Sequence, residues 1–150
     1  MNREHYIQRY MQEALSSLHQ AEGDEVPVAS LVVLHDQIIG IGQNETRKSN
    51  DISSHAEIVA LKKAAEHLHD WRLNEADLFV TMEPCMMCMG AIRLSRIRAL
   101  YYGLPNPITG IFSVYVHISM QDFPEIHIQG GILEYPIREK MQSFFKDKRG

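Results

Sequence analysis

The sequence predicts an α/β protein, a three-layer α/β/α sandwich around a central mixed five-stranded sheet. Three observations predict it. Helical and strand periodicities alternate along the chain, as expected when helices cover both faces of a sheet. Residues 26–34 form a nearly continuous aliphatic run, the pattern of a strand buried on both faces. The composition is that of an ordinary globular protein, with 150 residues, 45% hydrophobic and 23% charged. Such a chain can bury a core without disulfides. One domain over residues 1–150 is expected.

The elements follow in order. Residues 4–22 read as an amphipathic helix, with Tyr6, Ile7, Tyr10, Met11, Ala14, Leu15 and Leu18 at helical spacing and Gly23-Asp24 as its stop. The strand at 26–34 turns through His35-Asp36-Gln37 into a return strand at 38–43. Residues 44–54 are polar and turn-rich and read as a loop. Ser53 or Ser54 is the expected cap of a helix over 55–69, with Ile58, Val59, Leu61, Ala65 and Leu68 as its core stripe. A third strand at 78–82 is broken by Glu83-Pro84. A short helix follows over 85–95, then a fourth strand at 99–102, a loop at 103–107, a fifth strand at 126–128 and a last helix at 134–146.

Charge and cysteine use narrow the function. The chain has 15 Lys and Arg against 19 Asp and Glu, a formal net charge of −4. A surface that attracts polyanions everywhere is excluded, so any nucleic-acid contact needs a local basic patch. The two cysteines, Cys85 and Cys88, are too few for a secreted disulfide scaffold. The N-terminus has no apolar segment of the signal-peptide kind, and no run approaches the roughly 18 apolar residues of a membrane span. The expected setting is the reducing cytoplasm, without a membrane.

Two segments carry chemistry: His55-Ala56-Glu57 and Pro84-Cys85-Met86-Met87-Cys88. Both fall where a helix is expected to start. A spacing of three puts both sulfurs on one side of a helix start, where free N–H groups favour thiolate. Two thiolates and the His55 imidazole suit zinc, and three protein ligands leave one position for water. Two thiolates already neutralise Zn2+, so the ion acidifies water less than a three-histidine site would, and Glu57 can serve as the proton shuttle. Two other readings exist. Cys-x-x-Cys can be a redox pair, although Met86-Met87 lacks the Trp or Gly-Pro usual there. A structural zinc would need a fourth ligand, for which His35, His67 and His69 are available.

His-x-Glu followed by Pro-Cys-x-x-Cys is the signature of zinc nucleobase deaminases. With it, the chain resembles the cytidine and deoxycytidylate deaminase superfamily, and within it the bacterial tRNA-specific adenosine deaminases, the TadA family. The likeness covers most of the chain: Glu25-Val26-Pro27-Val28, Gly42-Gln43-Asn44, residues 54–58, Trp71-Arg72-Leu73, residues 78–92, Ser95-Arg96-Ile97, Thr109-Gly110 and Phe144-Phe145. It implies a cytidine-deaminase-like fold, zinc on His55, Cys85 and Cys88, and Glu57 as general acid/base. It places substrate contacts at Asn44, Ala56 and Asn106. It also implies a homodimer whose sites border the partner chain. The implied reaction is attack of activated water on C6 of adenine, converting adenosine to inosine at the wobble position of a tRNA anticodon. The chain departs from the family pattern at Ala29, at Asp51-Ile52-Ser53-Ser54, at Asn106 where the family carries Asp, and at Ile111-Phe112-Ser113.

Residues 138–149 hold five cations (Arg138, Lys140, Lys146, Lys148, Arg149) against two anions, and Arg93, Arg96 and Arg98 form a second group. Either could meet phosphates or be an ordinary solvated face. Phe144 or Phe145 could stack on an unpaired base, with the other one buried. Alternatives to the tRNA reading are a deaminase of a free base or nucleoside (guanine or cytosine/cytidine type) and a non-catalytic RNA-binding partner subunit.

Overall fold

The structure, a computed structural model, describes residues 2–20 and 25–149, with side chains through Asp147. In chain order the elements are α1 (Arg3–Ser16), β1 (Ala29–Leu34), β2 (Gln37–Gln43), α2 (Thr46–Ser49), α3 (Ala56–Leu68), β3 (Asp77–Met82), α4 (Met86–Leu94), β4 (Ala99–Leu104), α5 (Ile111–Val114), a 3-10 turn (Met120–Asp122), β5 (His127–Gln129) and α6 (Glu134–Arg149).

The five-stranded sheet runs β2-β1-β3-β4-β5. β1 pairs antiparallel with β2 and β3, while β3, β4 and β5 run parallel, so the sheet is mixed as expected. Alternate residues of the central strands feed two cores. Leu31, Val33, Phe79 and Tyr101 pack under α1 and α6. Val32, Leu78, Val80 and Leu100 pack under α3 and α4. That is the three-layer sandwich. His35 and Asp36, with φ of 47° and 60°, make the two-residue turn between β1 and β2, whose left-handed geometry matches strand twist.

Several boundaries differ from the sequence reading for local reasons. The helix expected over 4–22 ends at Ser16, where the Ser17 hydroxyl and N–H both turn back onto the Ala14 carbonyl. Gly23 and Asp24 lie outside the described residues. β1 starts at Ala29 rather than residue 26, because Pro27 has no N–H to give a ladder. The 44–54 loop contains α2, whose first turn is anchored by the Glu25 carboxylate accepting from the Arg47 N–H at 2.7 Å. β4 continues through Gly103 to Leu104, since a residue without a side chain fits against the Thr81 carbonyl there. The turns at α5 and at 120–122 are too short to leave a periodic signal.

The core stripe of α3 also differs. Val59 and Leu61 are buried as expected, but they share the buried face with Ala56, Ala60 and Ala64, while Ile58, Ala65 and Leu68 are only partly buried. The cause lies in β2. A Cβ at Gly42 would stand 2.1 Å from the Ala56 carbonyl oxygen, and one at Gly40 would stand 2.4 Å from that of Ala60. Two glycines on the strand and alanines on the helix let the two backbones meet. This close approach holds the start of α3 against the edge of the sheet.

Candidate active site

Two helix starts and the carboxyl ends of β3 and β4 build the site. Glu83-Pro84 ends β3, since the residue before a proline favours extended backbone. Cys85 is then the N-cap of α4 with φ −78° and ψ 174°, and His55 is the N-cap of α3 with φ −71° and ψ 156°. The expected cap from Ser53 or Ser54 is absent. The Ser53 hydroxyl donates instead to Asp51 at 2.7 Å, and Ser54 is buried. Neither His55 nor Cys85 caps its own helix through its side chain. Both side chains turn into the gap between the helices.

There His55 Nδ1 lies 3.6 Å from Cys85 Sγ and 3.5 Å from Cys88 Sγ. The three donor atoms all fall within 4.8 Å of one another, a group that could hold one metal ion. No described histidine or acid joins them as a fourth member. Both cysteines are free thiols, Cys88 fully buried and Cys85 partly so. Hydrogen bonding from Cys88, with help from His55, holds the Cys85 thiol down at about 4 against the effect of burial. The same bond to Cys85, then burial and the Glu57 charge, drives Cys88 far upward. Without a cation one thiol ionises and the other resists, the behaviour of a coupled pair.

Glu57 is buried beside them, 4% exposed. Burial raises its carboxyl from 4.5 to about 7, with the Cys85 charge adding to the rise. The cause is desolvation, which penalises the charged form. Interaction with the Cys85 thiolate is the main influence that raises the His55 pKa. A carboxyl poised near neutrality can both take and give a proton at working pH.

A cavity of about 410 Å³ opens over this cluster. Asn44, Ala56 and Asn106 all line it, together with Val26, Ile108, Met141 and Phe145. Asn44 donates from Nδ2 to the Val26 carbonyl at 3.1 Å and accepts from Thr46 at 3.2 Å. Ala56 is the first residue of α3, where the backbone N–H has no partner within the helix. The Asn106 side chain is held within its own loop. Its oxygen accepts from the N–H groups of Ile108 and Thr109, both at 3.1 Å, and its nitrogen donates to Thr109 at 2.9 Å.

Phe145 faces the cavity and Phe144 packs on the α1 side of the sheet. Of the C-terminal cations, Arg138 pairs with Glu134 and Lys140 donates to the Leu15 carbonyl. The side chains of Lys148 and Arg149 lie outside the described residues. Arg93, Arg96 and Arg98 stand at the far end of α4, on Glu125, the Trp71 ring and Asp77 respectively. One residue of the site escaped the sequence reading. Glu83, seen only as a strand end, is 3% exposed and lines the cavity. An acid immediately before Pro-Cys was the signal available.

A mixed sheet with a His, two Cys and a raised Glu at two converging helix starts defines a deaminase of the cytidine and deoxycytidylate deaminase superfamily. A family model for MafB19-like deaminases matches residues 1–149. The chain is 39% identical to a tRNA-specific adenosine deaminase of Agrobacterium fabrum, over 98% of this chain and 96% of that protein. Among solved structures, one from a study of A-to-I editing by tRNA:A34 deaminases at the wobble position of transfer RNA matches with a TM-score of 0.72 and 37% identity. It covers 91% of this chain and 99% of that one. The guanine deaminase of Bacillus subtilis matches with a TM-score of 0.55 and 33% identity, over 70% of this chain and 66% of that one. The chain belongs to the MafB19-like deaminase family and to the family of the tRNA-specific adenosine deaminases. No helix among the described residues is long and apolar enough to cross a membrane.

Proposed function

We propose that this chain is a zinc-dependent hydrolase that deaminates adenosine to inosine at the wobble position of a tRNA anticodon. The reaction takes water and releases ammonia. The zinc chemistry rests on the spacing of the three donors, and the tRNA substrate on the 39% identity to a tRNA-specific adenosine deaminase over nearly the whole chain. A tetrahedral zinc with bonds of about 2.3 Å to sulfur and 2.0 Å to nitrogen holds those donors about 3.6 Å apart. His55 Nδ1 stands 3.6 and 3.5 Å from the two sulfurs. Zinc, when bound, would supply a Lewis acid that activates water near neutral pH.

His55, Cys85 and Cys88 hold the metal. Glu57 takes one proton from the attacking water and passes it to the ring nitrogen of adenine, then takes the second from the oxygen newly bonded to C6 and passes it to the amine, which leaves as ammonia. Burial of Glu57 penalises the charged carboxylate, which favours its holding a proton between the two transfers. The N–H of Ala56 and the side chain of Asn44 orient the nucleoside. Asn106 contributes the shape of its loop rather than a free side chain. Phe145 stands at the mouth, where it can stack on a base beside the target. One domain, residues 1–150, carries the activity. The exposed face of α4, with Met86, Met87 and Leu94, supports a homodimer. The setting is cytoplasmic, where the tRNA substrate is at hand.

The likeness to guanine deaminase, at 33% identity, favours a second reading, deamination of a free base. Ammonia release from zinc-loaded protein separates the two, with an anticodon stem-loop RNA, adenosine, guanine and cytidine offered side by side. Release from the RNA is expected. Turnover of guanine or cytidine without the RNA overturns the tRNA reading. Release from none of them overturns the proposed function and favours a non-catalytic RNA-binding subunit.

A further inference from the structure

A second buried carboxylate, Glu83, lines the same cavity and is engaged by the loop that follows β4. Glu83 Oε2 accepts from the backbone N–H of Phe112 at 2.7 Å and from that of Ser113 at 3.0 Å. Its Oε1 accepts from the Asn106 N–H at 3.0 Å and from the Ser113 hydroxyl. Four donors from both ends of one loop converge on a single side chain. The loop closes around it tightly enough that a Cβ on Gly110 would lie 2.5 Å from the Glu83 carboxyl carbon. The same loop is pinned to the start of α4, where the Ile111 N–H donates to the Pro84 carbonyl at 3.0 Å and Gly110 bridges Cys85.

Between these anchors run Asn106, Pro107, Ile108 and Thr109, which form one wall of the cavity over His55 and Glu57. Ile108 is 80% exposed, so little packing of its own holds that wall. We propose that Glu83 is a positioning residue, whose carboxylate fixes residues 105–113 as the rigid wall against which the target base is aligned. It contacts neither the reacting atoms nor the metal donors. The proposal rests on the deaminase reading for its effect on turnover, but its structural half stands independently. A carboxylate suits the task because it is acceptor-only, with room for four donors. An amide of the same size is not equivalent, because its NH2 would face backbone N–H groups.

Glu83→Gln and Ser113→Ala test the proposal in the zinc-loaded protein. Amide hydrogen exchange at Phe112 and Ser113 is read first, because it needs no substrate. Exchange should rise at least roughly tenfold in Glu83→Gln, with zinc still at one ion per chain. On the anticodon stem-loop RNA, KM should rise roughly tenfold with kcat within about threefold of the parent. Ser113→Ala should move KM the same way by a smaller factor. Unchanged exchange overturns the proposal, as does loss of zinc from Glu83→Gln or a fall confined to kcat. If the parent protein deaminates nothing, the proposed function fails while the exchange measurement still decides the role of Glu83.

Discussion

Gly42 of β2 and Ala56 of α3 are in backbone contact, so close that a methyl group on Gly42 would sit 2.1 Å from the Ala56 carbonyl oxygen and 2.7 Å from the Ala60 nitrogen. Ala56 follows His55 directly, so this contact sets where the imidazole stands relative to the cysteines of α4. Gly42→Ala must push a rigid helix off a rigid strand, an overpacking that costs roughly 1–3 kcal/mol. Urea unfolding of the zinc-free protein should show that loss, and zinc affinity should fall with it. Unchanged stability and affinity would mean that the helix start moves freely, contrary to the packing described.

Cys88→Ala removes a donor from the group of His55, Cys85 and Cys88. Metal content should fall from one zinc per chain towards none, and the melting temperature should fall with it because metal binding contributes to folding. Elemental analysis and calorimetry read both. A variant that keeps its full zinc would contradict the proposed ligand set.

Glu57→Gln keeps volume and burial but cannot shuttle a proton. Activity should drop roughly 10²- to 10⁴-fold with zinc retained. Substantial residual turnover would remove Glu57 from the mechanism.

The same residue gives the metal-free protein a pH signature. Burial raises the Glu57 carboxyl from 4.5 to about 7, so the native state holds a proton that the unfolded chain has released. Its contribution to stability is therefore fully present below 4.5 and is lost as pH rises through about 7. The loss amounts to roughly 3 kcal/mol. Metal-free Glu57→Gln carries no such slope and should gain on the parent protein across that window. Urea unfolding of both chelated proteins at either end of it measures the gain; a flat or opposite difference would show that Glu57 is not desolvated.

At the other end of β3, Asp77 is 1% exposed and takes Arg98 through two bonds, at 3.0 and 2.8 Å, and the Tyr6 hydroxyl at 2.6 Å. Asp77→Ala strands these partners and should cost about 2–4 kcal/mol. Zinc content and KM should not change, because the pair lies at the opposite end of the strand from Glu83. Chemical denaturation beside a zinc assay checks both halves.

The fold was legible where the pattern is local. The aliphatic run at 26–34, the His35-Asp36 turn and the break at Glu83-Pro84 each announce themselves within a few residues. So do His55, Glu57, Cys85 and Cys88, whose residue types and spacing point to metal chemistry at two helix starts. The face that α3 buries was legible only in part. Val59 and Leu61 are buried as their hydrophobicity suggests, but the alanines Ala56, Ala60 and Ala64 are buried beside them because Gly40 and Gly42 admit only small residues.

The amino-acid order alone determined the layers and pointed to the His55, Cys85 and Cys88 group and to Glu57 beside it, since each depends on side-chain chemistry and on the repeat of a single helix or strand. Tertiary structure alone decided three things: how near His55 comes to the cysteines, how far Glu57 is desolvated, and what Glu83 holds. These are matters of distance between segments about thirty residues apart. No local repeat encodes such distances, because they follow from how two packed surfaces meet.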